Sequence, residues 1–259
     1  MVPARSGLRH GRRAGSVTGH LLERPKGAAL QLGLLRGFEL RLNGELIQLP
    51  LSSQRVLAFL ALHDRPLQRL YVAGMLWLDA SEEHANGSLR TALWRLRCPD
   101  ARLVEATTTH LALADEVEVD ARVAKGIAKS VIDRVSGACH EVPEALVGSG
   151  ELLPDWYDDW VLMEREQFRQ LRLHALETLC VEMTSVGRFA EATEAGLAAV
   201  DGEPLRESAH RALIAVHLAE GNPGEALRQY RFFQRLLKEE LGLEPSRLMV
   251  ELMDALPVR

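Results

Sequence analysis

Several kinds of chemistry are excluded by what this chain of 259 residues lacks. It has three cysteines, Cys98, Cys139 and Cys180, far apart and in no CxxC pair. Neither a disulfide framework nor a zinc site is therefore indicated. No stretch of roughly 18 apolar residues runs without a charge, so no membrane span is expected. The arginines near the N-terminus are followed by no apolar h-region, which excludes a secretory signal and makes a cytoplasmic protein the expectation. The nine histidines show no HExxH or HxH spacing, and there is no glycine-rich phosphate loop or GxSxG elbow. No enzyme, catalytic residue, cofactor or metal site is thus expected. The acid pairs Asp158/Asp159 and Glu239/Glu240 read as solvated faces.

A basic excess is missing too. The net charge is −5, whereas a nucleic-acid-binding chain usually carries a clearly positive balance. The charge is unevenly spread, however. Residues 1–29 hold six Lys/Arg against one acid, residues 30–118 nine against eleven, and residues 119–259 sixteen against twenty-four. Only a docking face needs to be positive to attract phosphates.

What is present suggests two folded domains, which the length allows. Residues 1–29 are rich in Arg, Gly and Ser and read as a disordered basic arm. Strand-like alternation begins at Leu30, and Asn43-Gly44 between two alternating runs signals a type I′ hairpin. Three short strands are expected before Pro50. A helix capped by Ser52 or Ser53 should run to about His63 and be broken by Asp64-Arg65-Pro66. A second, from about Gln68 to Leu78, should bury Leu70, Ala73, Met75 and Leu76. Trp77 reads as a packing residue.

A third helix, opened by Ser81-Glu82-Glu83 and stopped by Cys98-Pro99, places Leu89, Ala92, Leu93 and Leu96 on one face. Its other side carries Ser88, Arg90, Thr91, Trp94 and Arg95, with Arg97 near the end and no acid among them. Leu103–Glu105 and Leu111–Leu113 alternate around a polar tip and read as a hairpin. Three strands, three helices and a hairpin, covering residues 30–118, form a winged helix of the response-regulator output type. In that fold the third helix reads DNA and the hairpin is the wing. The expected base-facing residues are Arg90, Thr91, Trp94 and Arg95, since arginine can grip guanine and threonine or tryptophan can touch a thymine methyl. Phosphate contacts are expected from Gln54, Arg55, Gln68, Arg69 and Arg97, and on the wing from Thr108, Thr109 and His110.

Residues 119–259 read as helical throughout, giving an α+β domain followed by an all-α one. Gly187-Arg188-Phe189-Ala190-Glu191-Ala192 recurs as Gly221-Asn222-Pro223-Gly224-Glu225-Ala226. That offset is the tetratricopeptide period, one helix–turn–helix per unit. A further degenerate helical pair is expected over 120–170, with a stripe of Val123, Ile127, Val131 and Val135. The Trp156/Trp160 pair should pack at the opening of the next helix.

These motifs resemble the SARP-type transcriptional activators, which join a winged helix to a bacterial transcriptional activator domain (BTAD). The resemblance covers about residues 30–256. It rests most on Glu203-Pro204-Leu205-Arg206-Glu207, Ala209-His210-Arg211, Glu225–Tyr230 and Glu239-Glu240-Leu241-Gly242-Leu243-Glu244-Pro245-Ser246. In the N-terminal half it rests on Gln54–Leu60, Leu76-Trp77 and Arg95-Leu96-Arg97. The resemblance implies binding to double-stranded DNA at direct repeats near a promoter. It also implies side-by-side protomers, a homodimer on DNA, and recruitment of RNA polymerase through its sigma and β subunits. This chain departs from the pattern at Gly87, at Trp94 and at Thr107-Thr108-Thr109, where the family's wing has glycines. An alternative expectation is a tetratricopeptide scaffold whose winged helix binds protein rather than DNA.

Overall fold

The computed structural model describes residues 30–99, 101–133 and 142–254. The basic arm, Val135 and Cys139 lie outside the described residues. The chain opens with β1 (Leu30–Gly33), β2 (Glu39–Leu42) and β3 (Glu45–Leu46). Asn43 (φ 53°) and Gly44 (φ 87°) both occupy the left-handed region, as a type I′ turn requires.

Helix α1 (Leu51–Ala61) starts from Pro50 rather than from Ser52 or Ser53 and ends before the expected His63. The Pro50 carbonyl receives the amides of Ser53 and Gln54. Ser53 is instead buried, and its hydroxyl donates to the Ala92 carbonyl at 3.1 Å. Leu67–Gln68 form β4, so α2 (Arg69–Leu76) is shorter than periodicity suggested. Val72, Ala73 and Leu76 are its buried residues, while Leu70 is exposed. Helix α3 (Glu82–Arg95) keeps its expected start, because the Ser81 hydroxyl accepts the His84 amide at 3.4 Å. The wing strands β5 (Val104–Ala106) and β6 (His110–Leu113) pair antiparallel, and β4 adds to β6 in a three-stranded sheet ordered β4-β6-β5. Then β7 (Val117–Val119) returns to run parallel to β1, extending the expected three strands to a four-stranded sheet ordered β3-β2-β1-β7.

The helical half comprises α4 (Asp120–Ile132), a single turn α5 (Glu144–Val147), the long α6 (Asp159–Ser185), α7 (Phe189–Gly202), α8 (Glu207–Ala219), α9 (Pro223–Leu241) and α10 (Arg247–Asp254). The repeat in the sequence is a repeat in space. Gly187 (φ 77°) and Gly221 (φ 84°) make equivalent left-handed turns, between α6 and α7 and between α8 and α9. Leu179 and Cys180 on α6 match Leu213 and Ile214 on α8, and all four are buried. Burial pushes the Cys180 thiol up to about 12, which removes it from nucleophilic chemistry. Of the expected stripe on α4, Val131 is buried and Ile127 partly so, while Val123 is exposed and Ala121, Ala124 and Ala128 complete the inward face. Small side chains there let α4 lie close against both α6 and β1.

The two halves share one core. Trp160, Val161 and Phe168 of α6 pack into the same cluster as Leu32, Phe59 and Leu113. The main chain is stitched across the seam, with the Arg36 amide donating to Glu151 and the Leu153 amide to Leu34, both at 2.8 Å. The Asp120 carboxylate accepts the amides of Leu34 and Leu35 at 2.9 and 3.1 Å, and burial raises its carboxyl above the usual aspartate value. Arg122 of α4 donates to the carbonyls of Leu60, Ala61 and His63, satisfying the orphan C-terminal groups of α1.

A buried histidine links α8 to α9. His210 Nε2 donates to the Pro204 carbonyl, and its Nδ1 accepts from Gln229, each at 2.8 Å. Burial lowers its pKa, against smaller opposing pulls from the Pro204 carbonyl and Glu207. The unfolded chain therefore takes up a proton here before the folded one does. Stability from this group is complete above about pH 6.5 and declines as pH falls from there towards the depressed folded pKa. Urea denaturation at pH 7.5 and 5.5 should show this loss, and His210→Gln should abolish the part of it that belongs to this ring.

Candidate nucleic-acid interface

Helix α3 presents two faces because its apolar residues recur at helical spacing. Ala85, Leu89 and Ala92 are buried against α1 and α2, and Leu96 closes the buried side at the C-cap. The Ser53 hydroxyl bond to Ala92 fixes α3 against α1. On the opposite side Arg90, Thr91 and Arg95 are exposed, and Trp94 is 66% exposed. An indole this open is not packing into the core of its own chain. Arg97 follows the C-cap and is also exposed.

The electrostatics of this face are local and positive. Arg90, Arg95 and Arg97 make no ion pair among the described residues, while most arginines of the helical half face a carboxylate, as Arg169 does Glu203 and Arg206 does Glu177. Between α3 and the wing lies a groove of about 880 Å³ lined by Arg69, Arg90, Arg97 and Arg102, with Trp94 at its side and Leu93, Leu96 and Leu103 beneath. Arg102 went unnoticed in the sequence. Its position in the segment leading into the wing was the available signal, and it is partly offset by Glu105 at 3.4 Å.

The wing is held by its neighbour. The Arg69 amide donates to the Thr109 carbonyl at 2.9 Å and its Nη1 to the Thr107 carbonyl at 3.2 Å. The Thr107 hydroxyl accepts the amides of Thr109 and His110, so side-chain bonds shape the wing turn. Thr109 Oγ1 bonds His110 Nδ1 at 2.9 Å, whereas Thr108 is exposed at the tip. Gln68, next to His110 across the β4–β6 ladder, is exposed on the same sheet.

The structure therefore gathers Arg90, Thr91, Trp94, Arg95 and Arg97 on α3 and its C-cap, and Gln68, Arg69, Thr108, Thr109 and His110 at the wing. Thr91 spends its hydroxyl on the Gly87 carbonyl at 3.0 Å. Gly87 itself is under no packing demand, since a Cβ there would meet only Arg90 Nη2 at 3.8 Å. Two expected phosphate contacts are not brought to this face. Arg55 forms a half-buried ion pair with Asp158 at the seam between the halves, with its Nε buried. Gln54 turns its amide onto the Leu49 carbonyl at 2.8 Å. On α1 their residue types suggested phosphate binding, but the helical half occupies the side that Arg55 faces.

A profile of the bacterial transcriptional activator domain matches residues 114–256. The chain belongs to this family. It is 29% identical over 153 residues to the regulatory protein AfsR of Streptomyces griseus, covering 57% of this chain and 15% of that one. It is 27% identical over 241 residues to AfsR of Streptomyces coelicolor, covering 89% of this chain and 24% of that one. The chain thus spans about a quarter or less of the length of these curated relatives. A solved structure of Mycobacterium tuberculosis EmbR, in complex with a low-affinity phosphopeptide, superposes with a TM-score of 0.66 at 18% identity. That match covers 88% of this chain and 64% of EmbR, and it shows the shared fold of winged helix and tetratricopeptide-like helical domain. The family is one of bacterial transcriptional activators, which are generally not enzymes.

Proposed function

We propose that the chain is a sequence-specific DNA-binding transcriptional activator that inserts α3 into the major groove and lays its wing on the adjacent backbone. The observation that carries this reading is that Arg90, Arg95 and Arg97, without ion pairs among the described residues, flank an exposed Trp94 in an otherwise acidic chain. Three such cations beside the groove suit phosphates and guanine edges, which arginine holds bidentately. Arg90, Thr91, Trp94 and Arg95 read bases. Arg97, with Gln68, Arg69, Thr108, Thr109 and His110, positions the duplex. The family's mode of action extends this to direct repeats, side-by-side protomers and recruitment of RNA polymerase through sigma and β. A protein acting in this way works at the nucleoid, in the cytoplasm, and no described helix is long and apolar enough to cross a membrane.

Footprinting across the genome followed by gel retardation on the recovered site tests this. Affinity should fall steeply between about 50 and 200 mM salt, as counterion release demands. Arg90→Ala should cost about 1–3 kcal/mol and relax preference at one base position, while Arg97→Ala should weaken specific and random DNA alike. Arg69→Ala is a poorer phosphate probe, because it also frees the wing tip. Failure to retard any fragment at low salt would leave the scaffold reading in its place.

A further inference from the structure

The helical half is acidic, yet a cavity of about 480 Å³ at its seam with the winged helix is walled by Arg36, Arg165, Arg169 and Arg172. Three of these come from α6 at spacings of four and three, one face of the helix. Arg36 reaches in from the turn after β1. Two of the four are already committed. Arg165 donates to the Leu152 and Trp156 carbonyls at 2.8 Å and lies 3.3 Å from Glu151. Arg169 is held by Glu166 and Glu203.

Arg36 and Arg172 make no ion pair among the described residues. Both are drawn to the end of α5, where Arg172 donates to the carbonyls of Leu146 and Val147 at 2.7 and 3.1 Å, and Arg36 to that of Gly148. Successive carbonyls thus bring two cations side by side. A helix end offers at most about half a negative charge, and a single turn offers less. Among the acids of the wall, Glu151 is engaged by Arg165, which leaves Asp201 to oppose two guanidiniums. The glycines of the wall make the space. A Cβ on Gly150 would lie 2.3 Å from Arg36 Cγ, and one on Gly202 would lie 3.0 Å from Arg172 Nη1.

We propose that this seam cavity binds a small phosphate-bearing molecule, gripped by Arg36 from the winged helix and Arg172 from the helical half. Each guanidinium fork can take two oxygens of an oxyanion, and a phosphate has oxygens enough for two forks from two segments where a carboxylate has only two. The volume lies within the roughly 300–1,000 Å³ usual for small-molecule pockets. Because the two arginines belong to different halves, an occupant would tie the halves together and stabilise the folded chain by linkage.

The test uses the full chain and pyrophosphate, raised to about 10 mM at constant ionic strength, well past a millimolar Kd. The melting temperature should rise with the logarithm of concentration above the Kd, and calorimetric titration should give a saturable isotherm. Arg36→Gly is a clean variant, since Arg36 sits at φ 70°, where glycine is at ease. It should weaken pyrophosphate binding about tenfold or more, the loss of one charge-assisted hydrogen bond, and Arg172→Gln should do the same. Arg228→Gln, on the exposed face of α9, should bind as the parent does. The proposal is overturned by an absent shift, or by a calorimetric isotherm that does not saturate, in the parent protein. Equal binding in Arg36→Gly and the parent, or an equal loss in Arg228→Gln, would overturn it as well.

Discussion

Phe59→Ala should destabilise the whole chain by about 3–5 kcal/mol, the cost of a large cavity at a site that cannot collapse. Phe59 is 1% exposed and stands at the meeting of three elements. Its ring meets Trp160 of α6 edge-on at 5.1 Å, lies 4.5 Å from the His63 ring, and lies 6.0 Å from Tyr71 of α2. Aromatic pairing adds about 0.5–1.5 kcal/mol to the effect of the area removed. A fall in Tm of roughly 6–20 °C follows for a chain of this size. The consequence for the architecture matters more than the size. Because Phe59 and Trp160 belong to different halves of one core, far-UV circular dichroism and tryptophan fluorescence should shift together. Were the helical half to melt at its original temperature in this variant, the shared core would not be acting as one cooperative unit.

The second large effect concerns DNA. Replacing Arg90, Arg95 and Arg97 together by alanine should lower affinity for the footprinted site by about a hundredfold or more at moderate salt, even at about 1 kcal/mol per arginine. The salt dependence then divides their roles. An arginine that neutralises a phosphate should, when removed, flatten the slope of log K against log salt by about 0.9. Removing one that reads a base should instead lower the ratio of specific to random binding. Stability should barely change, since all three side chains are exposed and surface substitutions of this kind stay within about 0.5 kcal/mol. Parent-like affinity in the triple variant would remove α3 as the reading element.

These two residue sets differ in how they could be read from the chain alone. Asn43-Gly44 specified its hairpin because only positive-φ residues fit that turn. The Ser81 cap and the leucine spacing of α3 specified a helix with one buried side. The glycines at 187 and 221 specified equivalent turns in consecutive helical pairs. Each is a local signal with a period or a fixed turn chemistry, and each concerns residues within a few positions of one another. The arginine face of α3 was legible for the same reason: a helix that buries its leucines must turn Arg90 and Trp94 outward. The place of Phe59 opposite Trp160 was not, because a hundred residues separate them.

What the sequence could not decide depends on partners far along the chain. Val117–Val119 are few and could equally have begun a helix, until pairing with β1 made them a strand. Leu67–Gln68 become a strand only because β6 is beside them. Val123 looked like core by its type, yet alanines take the inward face of α4 because α6 and β1 approach too closely for larger side chains. Arg55 and Arg90 are the same residue type on neighbouring helices. Asp158, some hundred residues downstream, draws Arg55 into the seam, while no carboxylate among the described residues pairs with Arg90. The sequence by itself determined most of the elements and the exposed arginine face of α3, because those rest on local stereochemistry. Tertiary structure decided which charges remain free to bind, because that depends on which carboxylates and carbonyls the folded chain brings within reach.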